Sequence, residues 1–189
     1  MKLVLASKNQ KKLVEMRDIL SHMGVEVCLQ SDVGVDVDVE ETGTTFEENS
    51  LLKARAVMEA SGLPAIADDS GLCVDALGGA PGVYSGLDDV GRYRLLLENM
   101  KGQPRGAKFV SVITCCFPNG DVLTARGECP GTIAFAPMGE GGFGYDPVFF
   151  IPSLKKTFAQ LTPEEKNAIS HRGKALEQFQ KELERYLKK

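Results

Sequence analysis

Two pairs of carboxylates stand where acids could do chemistry: Asp68-Asp69 in Ala67-Asp68-Asp69-Ser70-Gly71, and Glu40-Glu41 in Val39-Glu40-Glu41-Thr42-Gly43. The first pair follows the apolar stretch Leu63-Pro64-Ala65-Ile66-Ala67 and precedes Ser-Gly, so it reads as a strand that ends in two acids and then turns. Hard cations such as Mg²⁺ take oxygen ligands and usually bring phosphates with them. Clustered carboxylates raise one another's pKa, and a bound divalent ion offsets that cost. Glu40, Glu41, Asp68 and Asp69 are therefore the metal candidates. The plainer alternative is that they are turn and capping acids.

Basic and polar groups at loop–helix junctions supply the rest of a phosphate site. Ser7-Lys8-Asn9-Gln10-Lys11-Lys12 joins an apolar run to a helical pattern, and free N–H groups at a helix start attract anions. Lys12 can reach back one turn as a point charge; the alternative is an ordinary cap with surface lysines. Lys53, in Lys53-Ala54-Arg55, either faces the site or belongs to a solvated helix face. Glycines in Gly141-Gly142-Phe143-Gly144-Tyr145-Asp146-Pro147 allow close backbone approach to a ligand, and Phe143 could stack on a base. His171 and Arg172, in Ser170-His171-Arg172-Gly173, offer donors for carbonyl oxygens or are surface charge.

The elements that must hold these groups alternate. Leu3-Val4-Leu5-Ala6 is a buried strand, and apolar Leu13, Met16, Leu20 and Met23 give a helix from Gln10 that Gly24 stops. Val25–Leu29 is a second strand, and Val33–Val39 a half-exposed strand or extended loop. Thr44-Thr45-Phe46-Glu47 reads as a capping box with Thr44 as N-cap, opening a helix to about Ala60. Gly71 to Gly86 reads as a long loop, and Arg92–Met100 as a helix. Ala107–Phe117 and Asp121–Glu128 form a hairpin around Pro118-Asn119-Gly120, and Val148–Ile151 is a short strand. Thr162-Pro163-Glu164-Glu165 starts a helix that pauses at Ser170, which caps the last one. A hairpin among strand–helix units makes the sheet mixed.

The 189 residues favour one domain, 1–189. A net charge of -4 argues against long nucleic acid as a partner. Five cysteines without a CxxC read as reduced thiols, which points to the cytoplasm. The N-terminal apolar run is short for a signal peptide, and no segment has membrane-spanning length.

Taken in order, Ser7-x-Asn9-x-x-Lys12, Glu40-Glu41-Thr42-Gly43, Phe46-x-x-Asn49-x-x-x-Lys53-Ala54-Arg55, Ala67-Asp68-Asp69-Ser70-Gly71, Gly78-Gly79-Ala80-Pro81-Gly82-Val83-Tyr84-Ser85, Gly141 to Pro147 and Ser170-His171-Arg172-Gly173 are far more specific than any one alone. The chain resembles the inosine triphosphate pyrophosphatase family, in its bacterial dITP/XTP branch, from first strand to last helix. The resemblance implies a homodimer of two-lobed α/β subunits, each with a long central mixed sheet flanked by helices and the site in the cleft. It implies Mg²⁺-dependent hydrolysis of the purine nucleoside triphosphates ITP, dITP and XTP to monophosphate and pyrophosphate. By position, Asp69 is then the proton acceptor, and Glu40 and Asp69 are metal ligands with Glu41 and Asp68 close by. Ser7, Lys8, Asn9, Gln10, Lys11, Lys12, Lys53 and Ser70 contact triphosphate or sugar. Phe143, Gly144, Tyr145, Asp146, Lys166, His171 and Arg172 form the base pocket. One departure stands out: after Tyr84-Ser85 the segment Gly86-Leu87-Asp88-Asp89-Val90-Gly91 is several residues shorter than the family pattern. The competing readings are a Maf-like nucleotide pyrophosphatase with another base preference, and a catalytically silent nucleotide binder.

Overall fold

The computed structural model describes residues 1–84 and 90–189; the shortened segment after Ser85 lies largely outside them. The strands are β1 (Lys2–Leu5), β2 (Glu26–Leu29), β3 (Ala65–Val74), β4 (Gly106–Cys116), β5 (Val122–Ile133), β6 (Phe149–Ile151) and β7 (Lys156–Thr157). The α-helices are α1 (Gln10–Leu20), α2 (Phe46–Ser61), α3 (Val90–Asn99), α4 (Pro163–Ile169) and α5 (His171–Leu187). One sheet runs β2-β1-β3-β4-β5-β6-β7. It is mixed: β1 is parallel to β2 and β3, and every later pair is antiparallel.

Helices cover both faces, and the two-residue period of the strands decides what each face receives. Leu3, Leu5, Ile66 and Ile113 pack with Leu13, Met16 and Leu20 of α1 and Leu176, Phe179 and Leu183 of α5. Val4, Ala6, Ala65 and Ala67 pack on the other face with Ala54 and Val57 of α2. A third cluster, around Phe109, Phe149 and Phe158, fills the far end with Leu72 and Val74.

The strand carrying Asp68-Asp69 does not turn at Ser70-Gly71, against the expectation. It continues to Val74, in unbroken antiparallel register with β4 from Ala65↔Cys116 to Val74↔Ala107. Ladder bonds on that side and the resumed burial of Leu72 and Val74 outweigh the turn preference of Ser-Gly. Asp68 therefore faces α1 and α5 with Ile66 and Leu72, while Asp69 faces α2 with Ala65 and Ala67. On the other side β1 pairs with β3 only at Val4↔Ala65 and Leu5↔Ile66. The stretch of β3 holding the acids thus runs past the end of β1, the place where α/β sheets open a crevice for ligands.

Local chemistry at the helix ends accounts for the rest. Asn9 caps α1, its Oδ1 accepting from the Lys11 and Lys12 amides at 3.0 and 3.2 Å. Its helix ends at Leu20, and one 3₁₀ turn leads to Gly24 at φ 66°. The α2 cap lies one residue later than expected. Thr45 Oγ1 accepts from the Glu48 amide at 3.1 Å, and the Glu48 carboxylate accepts from the Thr44 amide at 2.7 Å. Thr162 and Ser170 cap α4 and α5 as the sequence indicates. The hairpin strand β5 runs on to Ile133, and the two-residue β7 had no recognisable pattern.

Helix α5 lies directly on β5 at Gly127, where a Cβ would overlap the backbone of His171 and Ala175. Gly127→Ala is therefore expected to push the helix start off the sheet and cost about 2 kcal/mol. A urea midpoint equal to wild type would show that α5 can shift freely.

Candidate active site

The Asp68 carboxylate is tied by four side chains. Ser111 of β4, the register partner of Ser70, donates to Oδ1 at 2.6 Å, and Ser70 donates to Oδ2 at 3.1 Å. Arg172, at the start of α5, donates to Oδ2 through Nε at 3.2 Å and Nη2 at 3.0 Å. Lys12 of α1 places Nζ 3.2 Å away. Burial opposes ionisation of this carboxyl, yet Arg172, Lys12 and the Ser111 hydroxyl outweigh it and hold it well below the usual carboxylate range.

Asp69, one residue on, looks the other way and is far less satisfied. Lys53 of α2 reaches over β3, donating to the Asp68 carbonyl at 2.9 Å, with Glu41 at 2.8 Å and Asp69 Oδ1 at 3.6 Å. Asp69 Oδ2 is buried and has no hydrogen-bond partner. Burial pushes the Asp69 carboxyl up to about 6, with Lys53 opposing and Glu41 and Asp68 adding to the shift. For Lys53 the charges of Asp69 and Glu41 overcome burial and raise the ammonium's pKa.

A hollow of about 280 Å³ in front of these groups is lined by Ser7, Lys8, Asn9, Lys12, Glu41 and Lys53. A tighter one of about 130 Å³ adjoins it, because Asn9 and Lys12 line both. Its walls include Ser70, Phe143, Gly144, Tyr145, Asp146, Lys166, His171 and Arg172. His171 stacks on Phe109 with centroids 4.6 Å apart, and its buried Nδ1 has no partner. Burial, aided by the Arg172 charge, pushes His171 well below the usual histidine value, so the ring is neutral. Lys166 donates to Asp146 and Glu15, both at 2.8 Å, and lies 4.9 Å from the Phe143 ring centroid. Among the described residues, Asp69 Oδ2 and His171 Nδ1 are the buried side-chain nitrogen or oxygen atoms left without partners. His171 lines the tighter hollow, whereas Asp69 lines neither; Lys53, 3.6 Å from Asp69 Oδ1, lines the larger one.

The model of the Ham1 family matches residues 3–182. This chain belongs to the Ham1 family. It is 52% identical over 186 residues to the dITP/XTP pyrophosphatase of Shigella flexneri, covering 93% of this chain and 94% of that one. The Ham1 protein of Coxiella burnetii superposes with a TM-score of 0.87 at 43% identity, covering 98% and 99% of the two chains. The nucleoside-triphosphatase / dITP/XTP pyrophosphatase of Mycobacterium abscessus superposes at 0.76 with 45% identity, covering 95% and 98%.

Within this Ham1-family site, most residues singled out from the sequence meet, though several in other roles. The amides expected to greet an anion at Lys11 and Lys12 are taken by the Asn9 cap, whose own amide donates to Ser7 Oγ at 3.0 Å. Lys8 pairs with Asp36 at 3.1 Å, and Lys11 donates to the Gly142 carbonyl at 3.0 Å. Gln10 lines a third hollow of about 370 Å³, which shares Phe143 and Lys166 with the tighter one. Of the acid pair in the loop, Glu41 meets Lys53, whereas Glu40 is exposed and pairs with no cation among the described residues. Asp68 has both oxygens committed to partners, and it faces the opposite side of β3 from Asp69. Arg172 is likewise spent: beyond Asp68, it donates to Ser70 and Glu15. Two residues of this hydrogen-bond network escaped the sequence reading. Glu15, tying Lys166 to Arg172, shares a helix face with Lys11 at i+4 spacing. Ser111 had a clearer signal, as a lone hydroxyl in the apolar run Phe109-Val110-Ser111-Val112-Ile113.

Proposed function

We propose that this protein hydrolyses the non-standard purine nucleoside triphosphates ITP, dITP and XTP to monophosphate and pyrophosphate with Mg²⁺. The observation that carries the reading is the groove of two adjoining hollows, one lined by Lys8, Lys12, Lys53 and Glu41, the other by Phe143, Lys166 and the His171 imidazole. A nucleotide fits that polarity: its phosphates need cations, and its base needs a flat slot with a few hydrogen-bonding atoms.

The residues present fit a cation brought with the phosphates rather than a resident one. No group of three or more Asp, Glu, His or Cys that could hold a metal converges among the described residues. Mg²⁺, however, is commonly held by one or two carboxylates together with substrate phosphates and water. Asp69, through its unpartnered Oδ2, and Glu41 would supply them. The ion would neutralise charge on the phosphates and polarise the anhydride.

The chain's own groups do the remainder. Lys12 and Lys53 offset phosphate charge, and Lys12 is held in place by Asp68. Asp69 takes a proton from water, whose oxygen attacks the α-phosphorus; the bond from that phosphorus to the bridging oxygen breaks, and pyrophosphate leaves with it. Burial raises this carboxyl to about 6 in the metal-free site, and the bound ion would draw it back down, so that it is ionised and able to accept a proton at neutral pH. At the other end Lys166, with donors and no acceptor, favours a 6-oxo purine over a 6-amino one, and His171 adds a second hydrogen-bonding atom.

Pyrophosphate release from ITP, XTP, GTP and ATP, with and without Mg²⁺, tests the reading. ITP and XTP should be preferred and the metal required. Preference for a pyrimidine triphosphate would favour the Maf-like alternative, and tight ITP binding without turnover the silent binder. The same reading carries a cytoplasmic homodimer, whose mass light scattering would give.

A further inference from the structure

We propose that Asn49, with Gly43, is a positioning residue for the acidic end of the groove: it latches the loop that carries Glu41 and so sets how tightly a divalent cation is held. The inference rests on the metal-assisted reading above. Between the 3₁₀ turn at Gln30–Val33 and α2 the chain has no regular structure. Two buried amide side chains clamp it. Gln30 pairs with both backbone groups of Val37, its Nε2 donating to the carbonyl at 3.2 Å and its Oε1 accepting from the amide at 3.4 Å. Asn49 does the same at the other end: Oδ1 accepts from the Gly43 amide at 2.8 Å and Nδ2 donates to the Gly43 carbonyl at 3.4 Å.

The acids Asp38, Glu40 and Glu41 lie on the span between the clamps. Asn49 and Lys53 are four residues apart on α2 and share a face. The amide thus fixes the loop backbone one turn before Lys53 receives the Glu41 carboxylate. Gly43 is part of the same device. A Cβ there would stand 2.6 Å from Asn49 Oδ1 and 2.7 Å from Glu48 Cβ, so any side chain lifts the loop from the helix.

A carboxylate on an unclamped loop must be ordered when the cation binds, at roughly 1–2 kcal/mol per residue fixed. Supporting hydrogen bonds behind metal ligands typically matter by about 10–100-fold in affinity. Asn49→Ala and Gly43→Ala should therefore each weaken divalent-ion binding by about tenfold or more, while the ITP-to-ATP ratio stays as in wild type. The direct readout is Mn²⁺ binding, followed by electron paramagnetic resonance with the α,β-methylene analogue of ITP present; the Mg²⁺ concentration for half-maximal turnover is the second. Thr45→Ala is the structural control. It removes the cap of the same helix end, and should lower thermal stability with Mn²⁺ affinity unchanged. If Asn49→Ala fails to fold, Gly43→Ala, which keeps the amide, decides. Wild-type Mn²⁺ affinity in the latch variants, or an equal loss in Thr45→Ala, would overturn the latch alone. A wild-type protein that binds no Mn²⁺ would overturn the metal-assisted reading and the latch with it.

Discussion

Asp69→Asn should abolish nearly all turnover and, in the same protein, raise the stability of the metal-free state at neutral pH. Both effects come from one buried oxygen. Oδ2 has no partner, and burial lifts the carboxyl to about 6 from its ordinary value of 3.8. The folded state therefore holds a proton more tightly than the unfolded chain does. Asp69's contribution is most favourable below pH 3.8 and declines as pH rises through 6, because above that the folded state must carry a buried, half-satisfied charge. Asparagine keeps the shape and never ionises. Each tenfold change in proton affinity is worth about 1.4 kcal/mol. With some allowance for the neighbouring Lys53, the variant should gain about 2 kcal/mol at pH 7. The gain should shrink to nothing near pH 4. Loss of the general base should cost ~10²–10⁴-fold in kcat. Thermal melts at pH 7 and 4 without metal, and pyrophosphate release with Mg²⁺, read the two effects separately. A variant that melts like wild type at pH 7, or one that keeps near-normal kcat, removes Asp69 from this role.

The contrast between Asp69 and Asp68 is also where reading the sequence met its limit. Helix ends announce themselves by short-range chemistry, so Asn9, Thr162 and Ser170 stand at or beside the expected caps. The hairpin was visible because Pro118-Asn119-Gly120 interrupts two apolar runs. The continuation of β3 was hidden, because Ser70-Gly71 and the Gly-Pro stretch beyond have the composition of a loop. Pairing with β4 over ten residues decides the matter, and no local signal reports a ladder that long. Once the strand continues, period two separates the acids onto opposite faces. The apparent pair becomes one ion-paired anchor and one carboxyl with an unpartnered oxygen. Similar logic applies to Arg172: a sequence shows a guanidinium at a helix start, not that Asp68 and Glu15 have already claimed it. The capping shift from Thr44 to Thr45 has a smaller cause. Both are good caps, and burial of Phe46 at the first helical turn selects the register.

Asp68→Asn should have the opposite sign to its neighbour. Its carboxylate is the meeting point of Arg172 from α5, Lys12 from α1, and the hydroxyls of Ser70 and Ser111 within the sheet. A carboxyl held below the unfolded value contributes stability above about pH 3.8 and loses it as pH falls through its depressed folded value. Removing the charge leaves Lys12 buried without this counter-ion and Arg172 with Glu15. One-sided removal of a buried pair costs about 3–5 kcal/mol, so the variant should melt well below wild type at pH 7, with the gap closing in strong acid. Function should suffer at both ends, since Lys12 lines both hollows and Arg172 the tighter one. KM for ITP should rise, whereas Asp69→Asn should act on kcat. Ser111→Ala, deleting the 2.6 Å bond alone, should move stability the same way by about 1–2 kcal/mol. The double variant should lose less than the sum, because both changes act through one carboxylate. If Asp68→Asn melts with wild type, the attraction of its partners does no more than cancel the burial of the charge, and the alignment of Lys12 and Arg172 must come from elsewhere.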